Sequence, residues 1–220
     1  MSKLMDINGK LFQVMGRVGD LIVLNLLLLA CSLPVVTIGA AITAVYDMSL
    51  RLLRGDEGHL IRGYFKAFRS NFKEATKLWL VYVAVITVIA GDLLVRSYLP
   101  QFAPLLTIAA GIQGVVLLAA ALYAFPLQAR YENSIGRTLY NSVVLAIYNL
   151  PETVIMVLIS LSAVLVFLFI PLPEWLIAPF LTLCVLLWLA GAIYLNAGFV
   201  SKIFQKHFHS EQSVAKDKEE

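Results

Sequence analysis

The chain has 220 residues, 60% of them hydrophobic and 14% charged, and its mean hydropathy is +0.84. A soluble domain carries about 25% charged residues, so the composition excludes an ordinary water-facing surface and points to lipid as the solvent. The net charge of +3 is small; where the charges fall matters more than their sum, and no nucleic-acid partner is expected.

In chain order, charges bound five apolar stretches: Val18 to Tyr46, Leu78 to Ala90, Phe102 to Leu127, Val154 to Ile170 and Trp175 to Val200. With its flanks, each of the last four approaches the roughly 20 residues that a spanning helix needs. Inside the first stretch, Leu28-Leu29-Ala30-Cys31 resembles a lipoprotein cleavage box. The acidic Asp20 before it and the apolar residues after it argue against cleavage.

Leu33-Pro34 interrupts that first stretch and leaves two topologies. A single helix kinked at Pro34 gives five spans; a hairpin of two helices, Val18 to Leu33 and Val36 to Leu53, gives six. As one helix, Leu21 to Tyr46 would be roughly 39 Å long against a hydrocarbon core of about 30 Å. Charge favours the hairpin. With six spans and the N-terminus inside, sixteen of the 17 Lys and Arg residues lie on the cytoplasmic side and only Arg96 outside. The C-terminus is cytoplasmic in both topologies. The expected architecture is therefore all-α and polytopic, in a bacterial cytoplasmic membrane. Residues 1–209 form a single transmembrane domain, and 210–220 form a polar, disordered cytoplasmic tail.

Between the first and second apolar stretches, His59 to Lys73 repeats apolar residues at helical spacing (Leu60, Ile61, Tyr64, Phe65, Phe68 and Phe72). Arg62, Lys66, Arg69 and Lys73 form the opposite stripe. The pattern predicts an amphipathic helix lying flat in the interface, its cations facing anionic lipid or a cytoplasmic partner. A weaker amphipathic stretch, Ser134 to Tyr148, follows later. Each stretch leads through an Asn-x-x-Glu pair (Asn71/Glu74 and Asn149/Glu152) into a span, an offset of about 78 residues that reads as a weak internal repeat. Both pairs are read as helix N-terminal capping boxes, with Pro151 in a first turn.

Asp47 with Arg51, and Asp92 with Arg96, stand four apart, so each pair shares a helix face where the charges neutralise one another. Asn25, Thr37, Thr43, Gln113 and Asn196 are the uncharged polar residues inside the spans and are expected to bond between helices. Small residues four apart (Gly39 and Thr43, Ala40 and Ala44, Ala110 and Gly114, Ala120 and Ala124) predict close helix packing. Cys31 and Cys184 sit in apolar runs as small hydrophobes. His207 and His209, two apart, do not converge on one helix face, and with His59 they give no metal site. No catalytic, cofactor-binding or metal-ligating constellation is present.

Gly19-Asp20-Leu21-Ile22-Val23-Leu24-Asn25, Cys31-Ser32-Leu33-Pro34-Val35-Val36-Thr37-Ile38-Gly39-Ala40, Arg54-Gly55-Asp56-Glu57-Gly58 and Phe65-Lys66-Ala67-Phe68-Arg69-Ser70-Asn71-Phe72-Lys73 follow one another in order. Together they resemble the YesL family, bacterial integral membrane proteins with a domain of unknown function. The likeness is specific over the first third of the chain and rests on hydropathy and length beyond Leu80. It implies a small polytopic protein of the kind encoded beside carbohydrate ABC importers, with no defined catalytic residues. The expected function is a non-enzymatic accessory or regulatory component of such an importer; the alternative is a small secondary transporter or channel.

Overall fold

The first helix ends at Ser32, two residues before Pro34, whose fixed φ and missing N–H do not continue the hydrogen-bond ladder. The computed structural model describes residues 2–56, 58–131, 134–169 and 173–216. Helix α1 runs Ser2–Ser32, and a short 3₁₀ turn, Val35–Thr37, leads into α2, Ile38–Leu53. The hairpin reading is thus the observed one. The Thr37 hydroxyl lies 2.5 Å from the Cys31 carbonyl and 2.7 Å from that of Pro34, and the Trp79 indole N–H donates to the Val35 carbonyl at 2.7 Å. Three carbonyls at the break, those of Cys31, Pro34 and Val35, thus have partners within the protein, which an apolar surrounding favours.

The chain continues as α3, Leu60–Tyr98; α4, Ala103–Arg130; α5, Ile135–Tyr148; α6, Leu150–Phe169; α7, Glu174–Leu183; and α8, Leu189–Lys216. A π turn, Cys184–Trp188, joins α7 to α8 without a break. No strand occurs among the described residues, and six stretches are long and apolar enough to cross a membrane. The protein is a multi-pass helical membrane protein. Helix α8 reaches Lys216 and so enters the segment 210–220 expected to be disordered; 217–220 lie outside the described residues.

Helix α2 is the hub, with α1, α3, α4 and α8 packed around it. Gly39, Ala40, Ala41, Thr43 and Ala44 are all buried along it, which lets its neighbours come close. A Cβ on Gly39 would meet the Ala75 carbonyl oxygen and Trp79 Cβ at 2.5 Å, so α2 and α3 touch there almost backbone to backbone. Ala120 and Ala124 are buried in the same way. Gly114 faces open space, so its pairing with Ala110 makes no such contact.

The sequence pattern misplaces one element. Residues 59–73 are not a separate interfacial helix. They are the first half of α3, whose 39 residues amount to about 58 Å, twice a hydrocarbon core. Nothing between Arg69 and Leu78 breaks a helix. In the later copy of the pattern Pro151 does, since it has no N–H to continue the ladder of α5 and sits instead in the first turn of α6. The chain accordingly turns at Asn149 (φ −117°, ψ 49°), and α5 stands as a separate 14-residue helix.

The capping boxes are a second correction. Asn71 lies in the middle of α3 and donates back to the Ala67 carbonyl at 3.0 Å, while Glu74 pairs with Lys77 at 2.8 Å. Asn149 also donates backward, to the Leu145 carbonyl at 3.0 Å, closing the end of α5. Thr153, not Asn149, ties this corner together: its hydroxyl is bonded with Ala146, Asn149 and, across to α4, the Tyr123 hydroxyl at 2.9 Å.

Candidate functional site

Among the described residues, alternation of the six spans gathers the cations at one end of the bundle: Arg17 on α1, the start of α3, the last turns of α2 and α4, and Lys202 and Lys206 on α8. Among the described residues Arg96 is the one cation at the other end, where its guanidinium donates to Thr107 on α4 at 3.1 Å. No ion pair joins it to Asp92 among the described residues.

On α3, at 100° per residue, Arg62, Lys66, Arg69 and Lys73 fall within about 60° of one another. All four are exposed. The opposite face holds Tyr64, Ala67, Ala75 and Leu78, buried against the bundle. Beside the cations runs an aromatic ridge: Tyr64 and Phe65, Tyr64 and Phe68, and Phe68 and Phe72 have ring centroids 5.6, 6.3 and 5.5 Å apart. Phe65 (48%) and Phe72 (39%) remain open to the surroundings. The half-helix thus presents cations and exposed aromatics side by side.

On its other flank α3 borders a polar cleft of about 500 Å³, lined by Asp47, Arg51, Asn71, Glu74, Gln128 and Arg130 among others. Asp47 and Arg51 form the expected ion pair at 2.9 Å. Asn71 and Glu74, read from the sequence as a cap, face this cleft instead. Arg130 stacks over Tyr131 and Phe204, 5.7 and 5.5 Å from the ring centroids, and has no carboxylate partner among the described residues.

The buried polar residues fasten the helices. Asn25 on α1 accepts from the Ala190 amide at 2.8 Å, beside the π turn that disturbs the hydrogen-bond ladder of α8, and Asn196 donates to Ser160 on α6 at 2.9 Å. Thr43 bonds within its own helix, to the Gly39 carbonyl at 2.8 Å. Gln113 is exposed and makes no interhelical bond. Sequence reasoning missed Arg17, whose guanidinium donates to the Leu52 carbonyl at 2.8 Å and the Tyr194 hydroxyl at 2.9 Å. Its only sequence signal is a charge directly before an apolar run. No group of three or more His, Cys, Asp or Glu residues that could hold a metal exists among the described residues; the side chains of His207 and His209 lie outside them.

Residues 21–93 match the family described as "Protein of unknown function, DUF624". This is the family that the first-third motifs resemble. The match covers α2 whole, most of α1's apolar part and α3 as far as Leu93, that is, the hairpin, the hub and the cationic half-helix. No curated protein and no solved structure matches the chain.

Proposed function

We propose that this DUF624-type protein is a non-enzymatic accessory or regulatory component associated with a carbohydrate ABC importer, with its basic end and both termini in the cytoplasm. One observation carries the docking role: the first half of α3 presents four exposed cations beside an exposed aromatic ridge. Surfaces combining aromatics and Arg with little internal use are what partner proteins bind. The importer as partner comes from the YesL resemblance. The orientation rests on the charge asymmetry.

Affinity purification of the intact protein from native membranes tests the reading. Transporter subunits are expected with the wild type and not with an Arg62→Gln, Lys66→Gln, Arg69→Gln, Lys73→Gln variant; their absence from the wild type refutes it. Orientation is tested by Asn8→Cys in a background without Cys31 and Cys184. Labelling from outside the cell refutes a cytoplasmic N-terminus.

A second reading, a small transporter, draws on the polar cleft and its Asp47–Arg51 pair. It requires saccharide flux in proteoliposomes that Asp47→Asn abolishes. No flux with the wild type removes it.

A further inference from the structure

Two cavities adjoin along α1, the first of them reaching Gly58 and Leu60 at the start of α3, on the face turned from its cation stripe. The first, about 1010 Å³, lies at the basic end between α1, the end of α2, the start of α3 and α8, and its lining includes Gln13, Arg17, Asp20, Leu21, Leu60 and Tyr194. The second, about 520 Å³, is a groove between α1, α6, α7 and α8 whose walls include Ala163, Val166, Phe180, Leu187 and Trp188. Leu21 and Tyr194 line both, so the chamber that holds Arg17 and Asp20 and the apolar groove are neighbours across these two side chains.

Each part has a chemistry. In the chamber, Arg17 is pinned by two neutral acceptors, the Leu52 carbonyl and the Tyr194 hydroxyl. Its charge is uncancelled by any ion pair among the described residues, and a guanidinium in that state is a fork for a phosphate. Asp20, three residues along α1, adds a carboxylate on the same rim. The groove follows α7 and α8 from Leu195 to Phe180, roughly 20 Å at helical rise. That is longer than the depth of one leaflet, about 15 Å. The π turn Cys184–Trp188 forms part of its wall, and Gly191 leaves it open, because a Cβ there would meet nothing within 4 Å.

We infer that this composite cavity is a binding site for one phospholipid with a primary ammonium headgroup, of the phosphatidylethanolamine class. Its phosphate lies on Arg17, its ammonium faces Asp20, and one acyl chain fills the groove past Leu21 toward Phe180. Charge complementarity selects this occupant. One cation and one carboxylate at the mouth match a zwitterion with N–H donors better than a choline lipid, which has none, or a singly anionic lipid, which leaves Asp20 unpaired. The site uses none of the four cations of α3.

Native mass spectrometry of the detergent-purified full chain, titrated with dioleoyl lipids of ethanolamine, choline and glycerol headgroup, tests the assignment. One ethanolamine lipid is expected to be retained about tenfold more tightly than the choline lipid, the size of one charge-assisted hydrogen bond. Gly191→Trp fills the groove from an open position and is expected to abolish that retention while keeping the wild-type melting temperature. Arg17→Gln is expected to lower retention by about tenfold or more, and Asp20→Asn to bring ethanolamine and choline lipids to parity. Equal retention of all three lipids by the wild type overturns the assignment. So does unchanged retention in Gly191→Trp, or loss in Arg62→Gln, Arg69→Gln instead, which would put the lipid on the surface of α3.

Discussion

Replacing Gly39 with alanine puts a methyl group 2.5 Å from both the Ala75 carbonyl oxygen and Trp79 Cβ. Both are fixed to the α3 backbone, and ordinary contact needs about 3.5 Å or more, so α2 and α3 must part by about 1 Å. Overpacking of a tight interface costs about 1–3 kcal/mol. The separation also pulls the Trp79 indole from the Val35 carbonyl, a hydrogen bond worth about 1 kcal/mol net. The expected loss is about 2–4 kcal/mol, or roughly 5–15 °C in melting temperature for a chain of this size. Thermal unfolding in detergent, followed by tryptophan fluorescence, reads the shift. Two other glycines calibrate it. Gly63→Ala meets the Met48 thioether at 2.8 Å, a flexible group that can move aside, so its shift is expected to be smaller; Gly191→Ala meets nothing and is expected to be silent. If Gly39→Ala melts within about 1 °C of the wild type, the backbone-close contact of hub and α3 is refuted.

Asn25→Ala removes the acceptor of the Ala190 amide; a buried unsatisfied N–H costs about 1–3 kcal/mol, and an unchanged melting temperature would show that the bond carries no weight. Pro151→Ala restores the missing donor at the α5–α6 corner, so the two helices are expected to straighten toward one rod, as α3 does; spin labels at positions 137 and 164 should move apart, and an unchanged distance would place the cause of the bend elsewhere. Replacing Arg62, Lys66, Arg69 and Lys73 together by glutamine is expected to shift stability by less than about 0.5 kcal/mol, as for exposed residues without partners. A larger loss would mean that the stripe is structural.

The spans were legible because each is an apolar run closed by charges, and the hairpin because Pro34 and the cation asymmetry agree. What the pattern hid was continuity. Amphipathic spacing in 59–73 is the same whether the helix stops or runs on, and only the contrast between Lys73 and Pro151, at matching places in the two copies, separates a rod from a corner. The Asn-x-x-Glu pairs misled for the same reason: a capping motif is only a cap where the helix begins, and Asn71 is in mid-helix. Asp47–Arg51 was readable because both ends lie on one helix. Arg17 and its contacts with Leu52 and Tyr194 were not, because they join residues 35 and 177 positions apart, beyond the reach of any local spacing rule.

Helix α2 bears on how the protein is made. It is the least apolar of the six stretches, yet the most enclosed by protein, with Thr43, Ser49 and the Asp47 pair along it. Such a segment partitions into lipid less readily than its neighbours, and its natural surroundings are the faces of α3, α4 and α8. The last of these leaves the ribosome after all the others. Until then α2 stands at the membrane with one wall of its socket missing, so chains cut short before residue 189 should be recognised by quality control as unassembled, however well their remaining spans insert.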